Sequence, residues 1–347
     1  MFKQAIYNAD KTECLEIGYF FNWKGEIQIE QFLPTTKKVP KDLPKEITIL
    51  KYAFKDNENE FIDGIQCWDT SNITDMSKMF EEAENFNQDI SMWNTSNVTN
   101  MQSMFSWSSS FNQDISKWNV SNVLNMKNMF YNAEKFNQDI SMWHISNVTD
   151  MSFMFKGAQN FNQDISKWNT SNVKKMSFMF SSAYSFNQPI GIWDTSNVTD
   201  MSFMFNGAKN FNQDISMWNT SKVKYMNFMF SATQNFNQPI GSWNVSNVEN
   251  MEGMFFWAKK FNQDLSSWNT SNVIDMSIMF KSAYHFNGDI SSWDTSNVKK
   301  MDGMFLKARR FNKNLSSWNV SNVQDFIPFK SFTLFKFSRK KLPKFNK

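Results

Sequence analysis

Phe86-Asn87-Gln88-Asp89-Ile90-Ser91-Met92-Trp93-Asn94-Thr95-Ser96-Asn97-Val98-Thr99-Asn100-Met101-Gln102-Ser103-Met104-Phe105 recurs, with small changes, every 25 residues through most of the chain. Trp stands at positions 68, 93, 118, 143, 168, 193, 218, 243, 268, 293 and 318, and Ser follows three residues later each time. A register of this length without insertions implies stacked coils of a solenoid, each burying a face against its neighbours. One elongated repeat body is therefore expected, although 347 residues would ordinarily suggest two or three domains.

Each unit reads as two parts with different periods. Val98, Met101, Met104, Phe105 and Ser108 are spaced three, three, one and three, which fills one stripe of a helix of about three turns. Ser96 stands where an N-cap hydroxyl would be useful. The part from Phe86 to Thr95 ends in a column that is always β-branched, as at Thr70, Val120 and Ile145, which favours a strand. Ile90 and Trp93 are an odd number apart, so the chain must bend between them or set the Trp on a corner. The fold class expected is an α/β repeat solenoid of about eleven 25-residue coils, one short strand and one short helix each. Strands stack about 4.8 Å apart and helices about 8–10 Å apart, so the stack should curve into an arc. Phe, Ile, Trp, Val, two Met, Phe and Ala form its core, which accounts for the aromatic and Met content without a cofactor.

The ends differ from the body. Residues 1–42 read as an N-terminal cap. Within it, Glu13-Cys14-Leu15-Glu16-Ile17-Gly18-Tyr19-Phe20 and Glu26-Ile27-Gln28-Ile29-Glu30 alternate apolar with polar around Asn22-Trp23-Lys24-Gly25, as a β-hairpin does. Pro34, Pro40 and Pro44 mark a connector. Residues 43–322 form the 25-residue repeat solenoid, and 323–347 a degenerate C-terminal cap and basic tail. There Pro328 interrupts the coil and Lys330 replaces its Phe. Phe332, Leu334, Phe335 and Phe337 are candidates to cover the last coil, with Arg339-Lys340-Lys341 in solvent.

The formal charge is +3, and residues 321–347 hold seven Lys or Arg against Asp325 alone. The repeats show no basic stripe, so no nucleic-acid partner is expected. Cys14 and Cys67 are too few for a disulfide framework. No run of about 18 apolar residues exists, so no transmembrane helix is expected. The first 20 residues carry Asp10, Glu13 and Glu16 where a secretory signal would be basic and then apolar, so no signal is readable.

The repeat resembles that of BspA-like leucine-rich-repeat surface proteins, a family abundant in mycoplasmas, over residues 47 to about 326. The resemblance implies a leucine-rich-repeat-like curved solenoid and a role in surface display, adhesion or protein binding. Family members often carry a lipoprotein signal or membrane anchor. It places the chain at the cell surface, with a host or matrix protein as partner. The alternative is a cytoplasmic or unexported structural or silent copy with no adhesive role.

Enzymatic constellations are missing from the sequence. His144 and His285 lack a paired setting, and no phosphate loop or metal-ligand cluster appears. Neither catalysis nor a cofactor or metal is expected. The Asp column, Asp89, Asp114, Asp139, Asp164, Asp214, Asp264 and Asp289, reads as turn structure, because Asp and Ser change together to Pro189 with Gly191 and Pro239 with Gly241. Asn87 and Asn97 read as ladders that bond the backbone of adjacent coils.

Candidate binding residues lie where copies differ. Before each Trp the column runs Cys67, Met92, Lys117, Met142, Lys167, Ile192 and Met217, then Ser in the remaining copies. Such variation implies exposure, and Met92, Lys117, Met142, Lys167, Ile192 and Met217 are candidate protein-binding residues. A second column contains Phe153, Phe178, Phe203 and Phe228, placed opposite the apolar stripe of the expected helix. These four form either an exposed apolar band that binds a partner or a shield over the seam between neighbouring helices.

Overall fold

The computed structural model describes residues 2–326 and 339–345 and divides into two compact units, Met1–Asn172 and Val173–Lys347. Both are built from one coil, in which the described residues form no α-helix. Where the spacing predicts a helix from Val98 to Ser108, the backbone makes consecutive turns. Met104 N donates to Met101 O at 3.2 Å, Ser106 N to Ser103 O at 3.2 Å, and Ser108 N to Phe105 O at 3.1 Å. The alternate amides leave the coil altogether. Met101, Ser103, Phe105 and Trp107 donate to the carbonyls of Asn125, Lys127, Met129 and Tyr131 in the next coil, at 3.0, 2.9, 2.9 and 2.7 Å. Ser103 and Trp107 have φ of 55° and 63°, a left-handed setting that ends an α-helix wherever it occurs. The helix expectation is thus corrected, and Ser96 caps nothing helical.

The strand from Phe86 to Thr95 is corrected too. Ladder pairing is confined to one residue per coil, parallel, at Asp75, Asn100, Asn125 and Asp150 in the first unit and at Lys175, Asp200 and their successors to Asp325 in the second. The expected bend between Ile90 and Trp93 is a turn, in which Trp93 N donates to Ile90 O at 3.2 Å while both side chains are buried. With no helix in the coil, the helix-versus-strand spacing mismatch that argued for an arc does not arise.

Side chains complete the backbone account, as buried peptide groups require. Asn97 Nδ2 donates to Ser71 O at 2.7 Å, and Asn87 Oδ1 accepts from Asn112 N at 2.9 Å. Thr95 Oγ1 donates to Asn119 O at 3.0 Å, so the β-branched column fills a buried site instead of extending a strand. Asp89 Oδ1 accepts from Ser91 N at 2.8 Å, a local Asx turn.

The core follows the expected positions. Phe86, Ile90, Trp93, Val98, Met101, Met104 and Phe105 are all buried. Phe105 stacks on Phe111 at 3.9 Å and on Phe130 of the next coil at 5.8 Å, and Trp118 Nε1 donates to Ile90 O at 3.2 Å. Aromatic stacking adds about 0.5–1.5 kcal/mol per pair beyond burial, so one coil holds the next through its largest side chains.

At the N-terminus, β1 (Phe2–Lys3), β4 (Tyr19–Phe21) and β5 (Ile27–Ile29) form one antiparallel sheet, with β4 and β5 as the hairpin. β3 (Cys14–Glu16) lies outside that hairpin and pairs with β2 (Ile6–Tyr7) instead. Ile29 N donates to Ile49 O at 2.9 Å, joining the cap to the first repeat-like segment. The Pro-rich connector also takes part, since Lys38 bridges Glu13 on one side and Asp63 on the other. Cys14 is buried and Cys67 exposed, both as free thiols.

At the other end Pro328, Lys330, Phe332, Leu334, Phe335 and Phe337 lie outside the described residues. Arg339–Lys341, expected in solvent, is a short 3-10 helix docked on the second unit. Leu315 N donates to Lys341 O at 2.8 Å, Pro343 is buried, and Phe345 stacks on Phe326 at 4.6 Å. The coil edge there has amides to satisfy and apolar surface to cover, which draws this segment back onto it.

Candidate protein-binding faces

The column before each Trp occupies the third position of the Ile90–Trp93 type of turn. Both flanking side chains point inward, so the one between them is forced into solvent. Met92 is 83% exposed, Met142 66%, Ile192 78% and Met217 85%, and Lys117 and Lys167 are exposed as well. The first unit thus presents Met92, Lys117, Met142 and Lys167 on successive coils, about 4.8 Å apart at strand spacing. The second presents Ile192 and Met217, after which the column changes its chemistry. Ser242, Ser292 and Ser317 donate their hydroxyls to the carbonyls of Ser216, Ser266 and Ser291 at 3.2, 2.8 and 3.2 Å, so these members bind their own chain. A Met at this position serves no core, because the buried Ile and Trp of the turn already fill the interior.

The second column is differently placed. Phe153, Phe178, Phe203 and Phe228 are half-buried and sit at φ of 62°, 58°, 56° and 55°. In the second unit Phe178 stacks on Phe203 at 4.3 Å and Phe203 on Phe228 at 4.8 Å. A Cβ on Gly253 would lie 2.4 Å from Cε1 of Phe228, so the glycine makes room for the last ring of the row. The rings cover the line where neighbouring coils meet, at a backbone cost of about 1–2 kcal/mol each for the left-handed setting. The helix seam of the expectation does not exist; the seam is one between turns.

Spacing did not reveal a small aromatic and cationic group on the first unit. Trp107 packs edge-on against Tyr131 at 5.6 Å, and Lys156 lies 5.0 Å over Tyr131 and 5.5 Å over Phe153. These residues belong to three neighbouring columns, so no single column announces them.

The Asp column serves the turns. Asp89, Asp114, Asp164, Asp214 and Asp289 are held below the usual carboxylate range, first by the backbone amide and then by the hydroxyl of the Ser two residues on. Among the described residues no three His, Cys, Asp or Glu gather as metal ligands. Nor is any helix there long and apolar enough to cross a membrane.

A family model described as "Mycoplasma protein of unknown function, DUF285" matches residues 48–166, 139–239, 190–289 and 226–336. No curated protein matches the chain. Among solved structures the chain is similar to a leucine-rich cell surface protein from Faecalibacterium prausnitzii, at 10% identity and a TM-score of 0.37, over 89% of this chain and 94% of that one. A second is TLR13 in its complex with ssRNA13, at 10% identity and a TM-score of 0.26, over 84% of this chain and 53% of that one. A third is the functional domain of InlJ from Listeria monocytogenes, at 8% identity and a TM-score of 0.25, over 83% and 65%.

Proposed function

Because the chain belongs to the DUF285 family of Mycoplasma proteins of unknown function, we propose that it is a non-enzymatic repeat protein that binds another protein through its exposed turn column, in the manner of a surface adhesin. The observation that carries this reading is the exposure of the column within each unit: Met92 and Met142 in the first and Ile192 and Met217 in the second are 66–85% exposed at a position where later coils place a self-bonded Ser. Flexible thioether side chains flanked by Lys117 and Lys167 suit an apolar protein surface with acidic residues at its edge.

The test has two arms. Treating intact cells with an impermeant protease, with a cytosolic protein as lysis control, reads location; cleavage before lysis is expected, and protection until lysis would end the adhesin reading. Substituting Met92, Met142, Ile192 and Met217 by Ser reads the face. Binding to a panel of immobilised host matrix proteins should fall about tenfold or more for the partner that the native chain binds, with the urea midpoint unchanged. Unchanged binding would move the site elsewhere.

A further inference from the structure

The corner just before each conserved Phe changes character along the chain. In the first unit its two variable positions read Glu84-Asn85, Ser109-Ser110, Glu134-Lys135 and Gln159-Asn160. In the second unit they end as Lys259-Lys260, Tyr284-His285 and Arg309-Arg310. The ion pairs Lys224 with Glu249 and Lys300 with Asp275 lie elsewhere in the second unit, and none of Lys259, Lys260, Arg309 and Arg310 is in an ion pair with a described carboxylate.

The cations are held in place by neighbours. The Arg309 guanidinium lies 4.8 Å over the Tyr284 ring and Lys259 Nζ lies 5.5 Å over Trp257, whose Nε1 donates to the Tyr284 hydroxyl at 3.4 Å. Lys260 Nζ donates to Asn235 Oδ1 at 2.8 Å. Beside them Asn262, His285, Asn287, Arg310 and Asn312 line a recess of about 360 Å³.

The lining is made of donors. The Oδ1 atoms of Asn262 and Asn287 already accept from the amides of Asn287 and Asn312 at 2.7 and 3.0 Å, and Asn312 Oδ1 accepts from Lys341 Nζ at 3.1 Å. Their Nδ2 groups and the Arg310 guanidinium remain for a ligand. His285 Nδ1 faces Lys259 O at 2.6 Å, so that nitrogen carries its hydrogen. Gly288 stands where preceding coils carry a Gln such as Gln263, whose Nε2 reaches Asn237 O at 2.7 Å; that side chain is missing from the recess.

A concave site with donors and positive charge but no carboxylate selects an anion, since charge-assisted hydrogen bonds are the strong ones. We propose that this corner of the second unit binds an anionic polysaccharide, with one sulfated or carboxylated sugar in the recess and Lys259, Lys260 and Arg309 on the anionic groups of its neighbours. The cations span three coils, about 10 Å at strand spacing, which suits a chain better than a single ion. Nucleic acid fits less well. Lys259 and Arg309 each lie over one face of Trp257 and Tyr284, where a stacking base would have to displace them. This site is independent of the turn column, and different variants report on it.

The test titrates a fluorescent heparin-derived octasaccharide into the full chain, with a hyaluronan octasaccharide as the carboxylate-only arm and maltooctaose as the neutral one. Binding of one or both anionic sugars is expected, weakening with salt, and which one binds identifies the anionic group. Lys260→Ala with Arg310→Ala should weaken it about tenfold or more, Arg310→Lys should retain most of it, and Lys174→Ala with Lys175→Ala, an equal charge loss elsewhere, should change it little. No binding of either anionic sugar would overturn the proposal, and so would equal losses in the two double variants. Equal binding of maltooctaose or of an octathymidylate would do the same. If the chain self-associated and Lys260→Ala with Arg310→Ala abolished that self-association, the corner would instead be a contact for a second copy, and the proposal would fall.

Discussion

Phe203→Ala and Phe203→Gly, compared with each other, decide whether the coil is built of left-handed turns. Both variants lose the same stacked contacts, with Phe178 at 4.3 Å and Phe228 at 4.8 Å, so both should lose about 1–3 kcal/mol of stability. What differs between them is the backbone. At φ of 56° alanine pays a steric penalty of about 1–2 kcal/mol that glycine escapes. Glycine loses about 0.5–1 kcal/mol more chain entropy on folding. The balance leaves the glycine variant more stable by about 0.5–1 kcal/mol. In the helix that residue spacing suggested, the order would be the reverse, with alanine ahead by about 1 kcal/mol. Equilibrium urea unfolding of the full chain, followed by tryptophan emission with equal slopes for the two variants, measures the difference. An alanine variant more stable than the glycine variant would refute the turn assignment.

Other perturbations test other bonds. Trp218→Phe keeps the ring stack but removes the Nε1 bond to Ile190 O at 3.0 Å, leaving that carbonyl with the Trp193 amide at 3.2 Å alone, and should lower the urea stability by about 0.5–1.5 kcal/mol. Gly191→Ser places a Cβ 2.3 Å from Asp214 O and should destabilise by about 1–3 kcal/mol, whereas adding Pro189→Asp restores the usual turn pair and should recover most of the loss. The Asp column predicts the acid limit. The carboxyls of Asp89, Asp114, Asp164, Asp214 and Asp289 titrate lower in the folded chain than in the unfolded one, so their contribution is full above the ordinary carboxylate range and disappears as pH falls through the folded values, from about pH 4 downward. Asp214→Asn keeps an acceptor for Ser216 N and should flatten that pH dependence in a thermal melt; an unaltered profile would show that the column does not set it.

The core was legible in the sequence because burial depends on which positions recur. Val98, Met101, Met104 and Phe105 are apolar in copy after copy, and they are buried whether the backbone between them is a helix or a run of turns. The exposure of Met92 and Met217 was legible for the complementary reason, since a column that accepts Met, Lys, Ile and Ser makes no packing demand. The Asn97 ladder and the Asp89 turn were readable from residue chemistry. Backbone conformation was not, because a spacing of three, three, one and three fits one helical stripe as well as it fits turns that return the same side chains inward. The signal that separates them lay in two columns: Gly253, Gly303 and Asn128 in the Phe203 column, and Gly157, Gly207 and Asn132 in the Trp107 column. Both hold residues that tolerate φ above zero, and both sit at φ of 55–72°. The basic corner escaped notice because its cations are distributed over adjacent columns and Lys341, and fall together only once the coils stack.

The tryptophans have a spectroscopic consequence. In the second unit Trp193, Trp218 and Trp243 stack in sequence at 6.4 Å with interplanar angles of 1° and 5°, and Trp268, Trp293 and Trp318 at 6.0 and 6.2 Å with angles of 6° and 4°. Indoles held parallel at this separation exchange excitation faster than they emit, so each row behaves as one chromophore instead of three. Transfer between parallel rings does not turn the emitting dipole, so emission from the row keeps its polarisation, and its near-ultraviolet dichroism carries the sign of the rotation from one coil to the next. A lost coil shortens the chromophore, so near-ultraviolet dichroism reports intact neighbours while ordinary intensity reports only that the rings are dry.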